Sequence, residues 1–223
     1  MCRREIFWKL LKSYMVNFRS VVVVVLLFMV VVTIGYIFWQ QELRYALPTP
    51  VPSSYVAVQI KQQVSLPSTI SSLKKSVYLH FYNPDCPCSL FNAKHVRELI
   101  FSHGDSIAAF VVVPSSVDVK AARKEFGDHL KILVDADQLL AKSCGVYSTP
   151  QAVILDTEGK LYYRGNYNRA RYCTAQATNY AELALLAIIN GAAPPTFDLL
   201  ASRSYGCELP TGKVENSMSM FKF

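Results

Sequence analysis

Between Val21 and Trp39 the chain runs for nineteen residues without a charge, VVVVVLLFMVVVTIGYIFW. At about 1.5 Å of helical rise per residue, such a run nearly crosses a hydrocarbon core roughly 30 Å thick. None of its faces is polar, which excludes an ordinary half-buried surface helix. It is longer than the apolar part of a cleaved signal peptide, and Gln40-Gln41-Glu42-Leu43-Arg44 follows it with no small-residue cleavage pattern. The run predicts an uncleaved transmembrane signal anchor over residues 21–39. The first twenty residues carry Arg3, Arg4, Lys9, Lys12 and Arg19 against Glu5, whereas the far flank offers only Glu42 and Arg44. Basic residues stay on the cytoplasmic side. The expected topology is single-pass in the inner (plasma) membrane, with residues 1–20 cytoplasmic and a periplasmic or otherwise extracytoplasmic C-terminal domain.

This anchor changes how charge and cysteine content are read. The formal net charge is +7, and the flank before the anchor holds more than half of it. What remains forms no basic stripe interleaved with aromatics, so no nucleic-acid partner is implied. Of the six cysteines, Cys2 lies on the cytoplasmic side and cannot pair with the rest. Cys86, Cys88, Cys144, Cys173 and Cys207 lie on the exported side, where disulfides persist. Their odd number leaves at least one outside any internal pairing.

Past the anchor, residues 40–67 include Leu47-Pro-Thr-Pro-Val-Pro-Ser-Ser, which predicts a Pro-rich, partly extended stem. Residues 68–192 then alternate. A helix is possible near Thr69–Lys75. Strands are predicted at Val77–Tyr82, Ser106–Val113 and Leu130–Val134, and helices at Cys86–Ser102, Val117–Phe126 and Asp137–Ser143. Gln151–Asp156 and Lys160–Arg164 flank Thr157-Glu-Gly-Lys as a hairpin. Thr178–Asn190 reads as a final helix stopped by Gly191. This order predicts an α/β domain, a central mixed sheet with helices on both faces. Residues 193–223 form a C-terminal tail, loosely ordered after Pro210.

The chemistry concentrates in Phe81-Tyr-Asn-Pro-Asp-Cys86-Pro-Cys88, where a strand runs into a helix with cysteine at its start. The unpaired N–H groups and positive dipole end of a helix favour thiolate over thiol. Asp85, beside the first sulfur, pushes the other way by like-charge repulsion. Pro87 removes a backbone donor and stiffens the short spacer. A disulfide across one intervening residue would be strained, and therefore more oxidising. The alternative is that Cys86 and Cys88 each meet a different partner. Cys144 suits a buried small hydrophobe. Cys207, in Ser204-Tyr-Gly-Cys-Glu, pairs in the first reading with Cys173 as a structural disulfide that pins the tail. In the second it swings over to resolve a mixed disulfide at Cys86.

The cysteine pair after the first core strand, the order of elements and Tyr147-Ser148-Thr149-Pro150 before the hairpin together resemble a thioredoxin-like fold over residues 68–192. Within that family the chain is most similar to membrane-anchored thiol–disulfide proteins of the bacterial envelope. The resemblance implies a cis Thr149–Pro150 bond beside the cysteines, and a substrate peptide bound by Thr149, Pro150, Pro87 and Asp85. It also places His80 where the family has a buried carboxylate serving the second thiol, so His80 becomes a catalytic proton acceptor. The implied activity is thiol–disulfide exchange with protein thiols or disulfides, with Cys86 as nucleophile and Cys88 resolving, and with no cofactor or metal. Asp85 stands where the family usually has tryptophan, and the Cys-Pro-Cys spacing is one residue shorter than usual. A Cu(I)-binding module is an alternative, since thiolates and imidazole suit a soft ion; the absence of a histidine between Asp135 and Gly165 tells against it. A peroxiredoxin-like peroxide reductase ranks behind both, because only Pro84 precedes Cys86 at short range.

Overall fold

The computed structural model describes residues 2–43, 47–169 and 176–210, and the chain divides into two compact units, Met1–Arg44 and Tyr45–Phe223. The first unit is one helix, α1 (Cys2–Phe38), that continues through a π-type turn at Trp39–Leu43. Within it Phe18–Gln41 is 24 residues of high hydropathy, long and apolar enough to cross a membrane. Every residue from Val21 to Phe38 is exposed.

The second unit is built around β1 (Val77–Phe81), which is buried at all five positions. It pairs in parallel with β2 (Ala108–Val113), which pairs in parallel with β3 (Lys131–Val134). On its other edge β1 pairs antiparallel with β5 (Gln151–Leu155), and β5 with β6 (Leu161–Gly165). The sheet order is therefore β3-β2-β1-β5-β6. Side chains of a strand alternate between faces. Val77, Leu79 and Phe81 accordingly enter one apolar cluster, and Tyr78 and Tyr82 the other.

Helices cover both faces. Ala93, Val96, Leu99 and Ile100 of α3 (Pro87–His103) recur at three- and four-residue spacing, so they form one stripe against the tyrosine side. Ala122 and Phe126 of α4 (Val119–Phe126) and Tyr180, Ala181, Ala184 and Leu185 of α6 (Tyr180–Ile189) complete that cluster. The opposite face packs Leu140, Ala141 and Cys144 of α5 (Leu139–Cys144) with Ile70 of the short α2 (Ser68–Ser71). Each fully buried large apolar side chain contributes roughly 1.5–3 kcal/mol. This is the thioredoxin-like arrangement that the order of elements predicts, and most strands and helices start within two residues of their predicted places.

Within the segments predicted as a stem and a C-terminal tail the structure has packed chain, while the part expected to be loose, after Pro210, lies outside the described residues. Val58 and Val64 are buried in the second cluster. Lys61 N–H donates to the Leu161 carbonyl, and Leu161 N–H donates back to Gln62. These contacts escaped the sequence reading because the short apolar run Tyr55–Ile60 and Val64 carry no sustained period that says what they pack on. In the tail, a four-residue helix α7 (Leu199–Ser202) docks on β6. The Asn166 side chain donates to the carbonyls of Leu200 and Arg203, and Asn166 N–H donates to Ala201. The tail then reaches β7 (Cys207–Glu208), which pairs antiparallel with β4 (Ser148–Thr149).

That docking depends on Gly165, because a Cβ there would overlap the Ala201 carbonyl oxygen. Both partners are backbone, so neither can turn away. Gly165→Ala is expected to cost about 1–3 kcal/mol, as overpacking does, read as a lower urea midpoint for the second unit.

Candidate functional site

Tyr82-Asn83-Pro84-Asp85 leaves the C-terminal end of β1 and turns the chain into α3. Asn83 closes the turn: its carbonyl accepts from Cys86 N–H at 3.1 Å, and its side-chain oxygen from Asp85 N–H at 3.0 Å. Cys86 is the N-cap residue of α3, in extended conformation, and Pro87 opens the helix at a position where a missing N–H costs nothing. The Cys86 sulfur therefore stands at the positive end of a 17-residue helix. Asp85 is exposed beside it, and Pro87 is half-buried.

Opposite lies the Thr149–Pro150 bond, which is cis. The Thr149 carbonyl oxygen is 3.4 Å from the Cys86 sulfur. That sulfur has no hydrogen to donate, because it is bonded to Cys207 in a disulfide closing a 121-residue separation, with Cα atoms 5.9 Å apart. The link follows from strand pairing, since β7 lies on β4 with Cys207 directly opposite Thr149. Gly206 permits the approach: it holds φ +110°, and a Cβ on it would overlap the Thr149 carbonyl. Upstream, Ser204 accepts from Thr49 N–H at 2.9 Å through its carbonyl and from the Gln151 side chain through its hydroxyl. Downstream, Leu209 N–H donates to the Tyr147 carbonyl at 3.3 Å.

The structural Cys173–Cys207 disulfide is thus not the pairing seen. Cys173 lies outside the described residues, and the sulfur of Cys207 is committed to Cys86. Cys88 sits inside the first turn of α3, buried and not part of that disulfide. Helix geometry turns it inward, whereas Cys86 precedes the helix and faces β4. Cys144 is buried in the second cluster, and burial pushes its thiol up to about 12, out of redox reach at neutral pH.

His80 departs from the role expected of it. It is fully buried on β1, ringed by Tyr82, Phe126 and Tyr167, and desolvation lowers its pKa to about 3. A base that weak holds no thiol proton at neutral pH. Its Nδ1 shares a 2.7 Å hydrogen bond with the Tyr167 hydroxyl, which also meets the Tyr78 hydroxyl at 2.8 Å. His80 is therefore the neutral end of a buried polar chain. Near the helix start, Tyr82 is raised to about 12, first by burial and then by Glu125, Asp118 and Asp85. Those carboxylates make this side of the site electronegative. Among the described residues, no group of three or more His, Cys, Asp or Glu is placed to hold a metal ion.

Beside the β4–β7 pair, Tyr55, Val56, Lys142, Val146, Tyr147 and Leu209 wall a cavity of about 640 Å³. Neither this cavity nor the strand pairing of β7 was visible in sequence, although the second reading of Cys207 brought it to Cys86. The one signal for β7 was Gly206 just before Cys207, a position that tolerates close backbone approach.

Comparison with known proteins gives the following. Residues 56–208 match the family model described as a domain of unknown function, DUF6436. The match includes Cys86, Cys88, Pro150 and Cys207. No curated protein matches. A hypothetical protein of Sinorhizobium meliloti 1021 superposes with TM-score 0.57 at 20% identity, covering 70% of this chain and 96% of that one. An uncharacterized conserved protein of Geobacillus kaustophilus also gives 0.57, at 18% identity over 72% and 97%. A secreted disulfide oxidoreductase of Mycobacterium tuberculosis gives 0.41, at 15% identity over 54% and 84%.

The buried imidazole makes stability depend on pH. A histidine in the unfolded chain protonates near 6.5, but His80 in the fold does so only near 3. Between these values the unfolded chain binds more protons, so stability is full above about 6.5. It falls with pH by up to about 1.4 kcal/mol per unit. His95, also lowered by burial first, acts in the same direction. Denaturant midpoints measured between about pH 7 and 4.5 should fall more steeply for the natural chain than for His80→Phe.

Proposed function

As a member of the DUF6436 family, the chain inherits no assigned chemistry from that family, and from its site we propose a membrane-anchored thiol–disulfide oxidoreductase that acts outside the cytoplasm, with Cys86 as nucleophile and Cys207 as its resolving partner. The carrying observation is the Cys86 sulfur, held at a helix N-terminus beside cis-Pro150 and already joined to a cysteine on a separate strand. The apolar helix and its basic N-terminal flank support the anchor and its orientation.

In the reductive direction, the Cys86 thiolate attacks a substrate disulfide, forming a mixed disulfide and releasing one substrate sulfur as thiolate. The Cys207 thiolate then attacks the Cys86 sulfur and releases the second substrate sulfur. Two electrons have passed to the substrate, and the chain is left with the Cys86–Cys207 disulfide. Run backward, the same steps oxidise a substrate dithiol. The helix end favours Cys86 as thiolate and as leaving group. Tethering holds Cys207 at an effective concentration on the order of millimolar or more. Cys88, buried and turned inward, takes no part in this exchange. Asp85 and Pro87 flank the nucleophile, and Thr149 and Pro150 form the opposite wall.

The test is a redox titration of the full chain in detergent against glutathione, with thiols trapped and mapped by mass. The Cys86–Cys207 disulfide should form and break as one two-electron unit, and should persist in Cys88→Ser. Cys207→Ser should instead leave Cys86 as a glutathione mixed disulfide. If Cys86 joins no sulfur at any poise, the oxidoreductase reading fails.

A further inference from the structure

A substrate caught in mid-reaction would be a polypeptide joined through its cysteine to the Cys86 sulfur. The structure already contains that linkage, with the tail as the polypeptide. It therefore shows how a chain bonded to Cys86 lies: extended, antiparallel to β4, its cysteine opposite Thr149, with the residue two later donating to the Tyr147 carbonyl. Cys86 is 0% exposed while the tail is in place. A substrate strand paired along β4 takes the edge that β7 now covers, so the two strands exclude each other there, while the entering and leaving sulfurs meet in line on Cys86 only during the exchange itself.

The tail also shows which side chains the track accepts. The position before the cysteine is pressed on the Thr149 carbonyl, where Gly206 at φ +110° fits and a Cβ overlaps. The position after it, Glu208, is exposed. The position two after is Leu209, which packs on the second apolar cluster and borders the 640 Å³ cavity beside Val146 and Tyr147. The part that moves is short. Ser204 is tied to Thr49 and Gln151, and Gly206 supplies a flexible joint. Beyond that joint the tail is held by the β4 pairing, the Leu209 contacts, the disulfide, a 3.4 Å contact from the Thr49 hydroxyl to Gly206 and a bond from Gln138 to Pro210.

We propose that Gly206–Leu209 is a tethered stand-in for the substrate: the β4 edge receives extended polypeptide cysteines of the pattern Gly-Cys-x-apolar, and these exchange places with the tail at each turnover. This rests on the thiol–disulfide reading above and names its substrate class. Breaking the Cys86–Cys207 bond leaves the tail on the edge by non-covalent contacts alone, so that a substrate can compete with it. Once the substrate is bound at Cys86, its departure requires the Cys207 thiolate to reach the Cys86 sulfur in line with the leaving sulfur, after which β7 pairs again with β4. Strand pairing supplies affinity and the pocket for an alternate side chain supplies specificity, as in other cases of strand addition.

The test uses the full Cys207→Ser chain, reduced, in detergent. It is offered equal amounts of three disulfides: the dimer of a heptapeptide with the sequence of Ser204–Pro210, the dimer of the same peptide with aspartate for leucine, and oxidised glutathione. Cys86 attacks each, one half leaves as thiol, and the adducts at Cys86 are counted by mass after mapping. The leucine peptide should dominate by about tenfold, equivalent to about 1.4 kcal/mol. Because the serine tail still competes for the edge, the double variant Cys207→Ser, Leu209→Asp should widen that margin. Equal yields of the three adducts in both variants overturn the proposal while leaving the oxidoreductase reading intact. No adduct at Cys86 from any of them defeats the underlying reading instead.

Discussion

Burial of β1 on both faces is the constraint on which the rest of the second unit depends. A strand with no polar side must be covered twice, so helices are required above and below the sheet. Its alternation then assigns the partners, aliphatic residues and Phe81 toward α5, tyrosines and His80 toward α3 and α6. The same strand sets the site. Its C-terminal end is where the chain leaves the sheet, and α3 starts there with Cys86 as its cap. A sulfur at that junction stands at the positive end of the helix dipole without needing a charged neighbour.

The second constraint is an edge. β4 is two residues long and ends at cis-Pro150, which has no N–H to extend a ladder. An unpaired edge of this kind invites another strand. The chain meets the demand with its own tail, and strand pairing brings Cys207 onto Cys86 across 121 residues of sequence. In a chain-entropy picture, closing so long a loop removes several kcal/mol of unfolded-state freedom, roughly 4–5. The link therefore fastens covalently a tail that strand pairing and the Leu209 contacts also hold.

Legibility in the sequence divided along the same line. Val77–Tyr82, Ser106–Val113 and Gln151–Asp156 were readable as strands because each is a dense apolar run that carries its own signal. The final helix was readable from Thr178–Asn190 for the same reason. Cys86 was readable because strand, turn and helix start are contiguous there. By contrast, β4 and β7 contribute two residues each, and their only apolar member is Cys207. Val58 and Val64 belong to short segments with no sustained period. Such segments are specified by what they touch, and their contacts lie far away in sequence, up to the 121 residues between Cys86 and Cys207. His80 was located correctly on its strand but given a charge role. Its environment joins Tyr82 at the end of its own strand to Phe126 and Tyr167 from distant parts of the chain, and full desolvation by them removes the charge.

The sequence by itself determined the division into an apolar helix and an α/β domain, the order of the sheet elements and the placement of Cys86 at a helix start. Those properties follow from local periodicity and from neighbours along the chain. Only the tertiary structure decided which sulfur Cys86 meets. Cys88 is two residues away, yet the helix turns it inward. Cys207 is far off in sequence, yet an edge strand, a glycine that tolerates contact with the Thr149 carbonyl and a partly buried Leu209 deliver it. Pairing of sulfurs depends on where backbones run in space, and no local pattern encodes that.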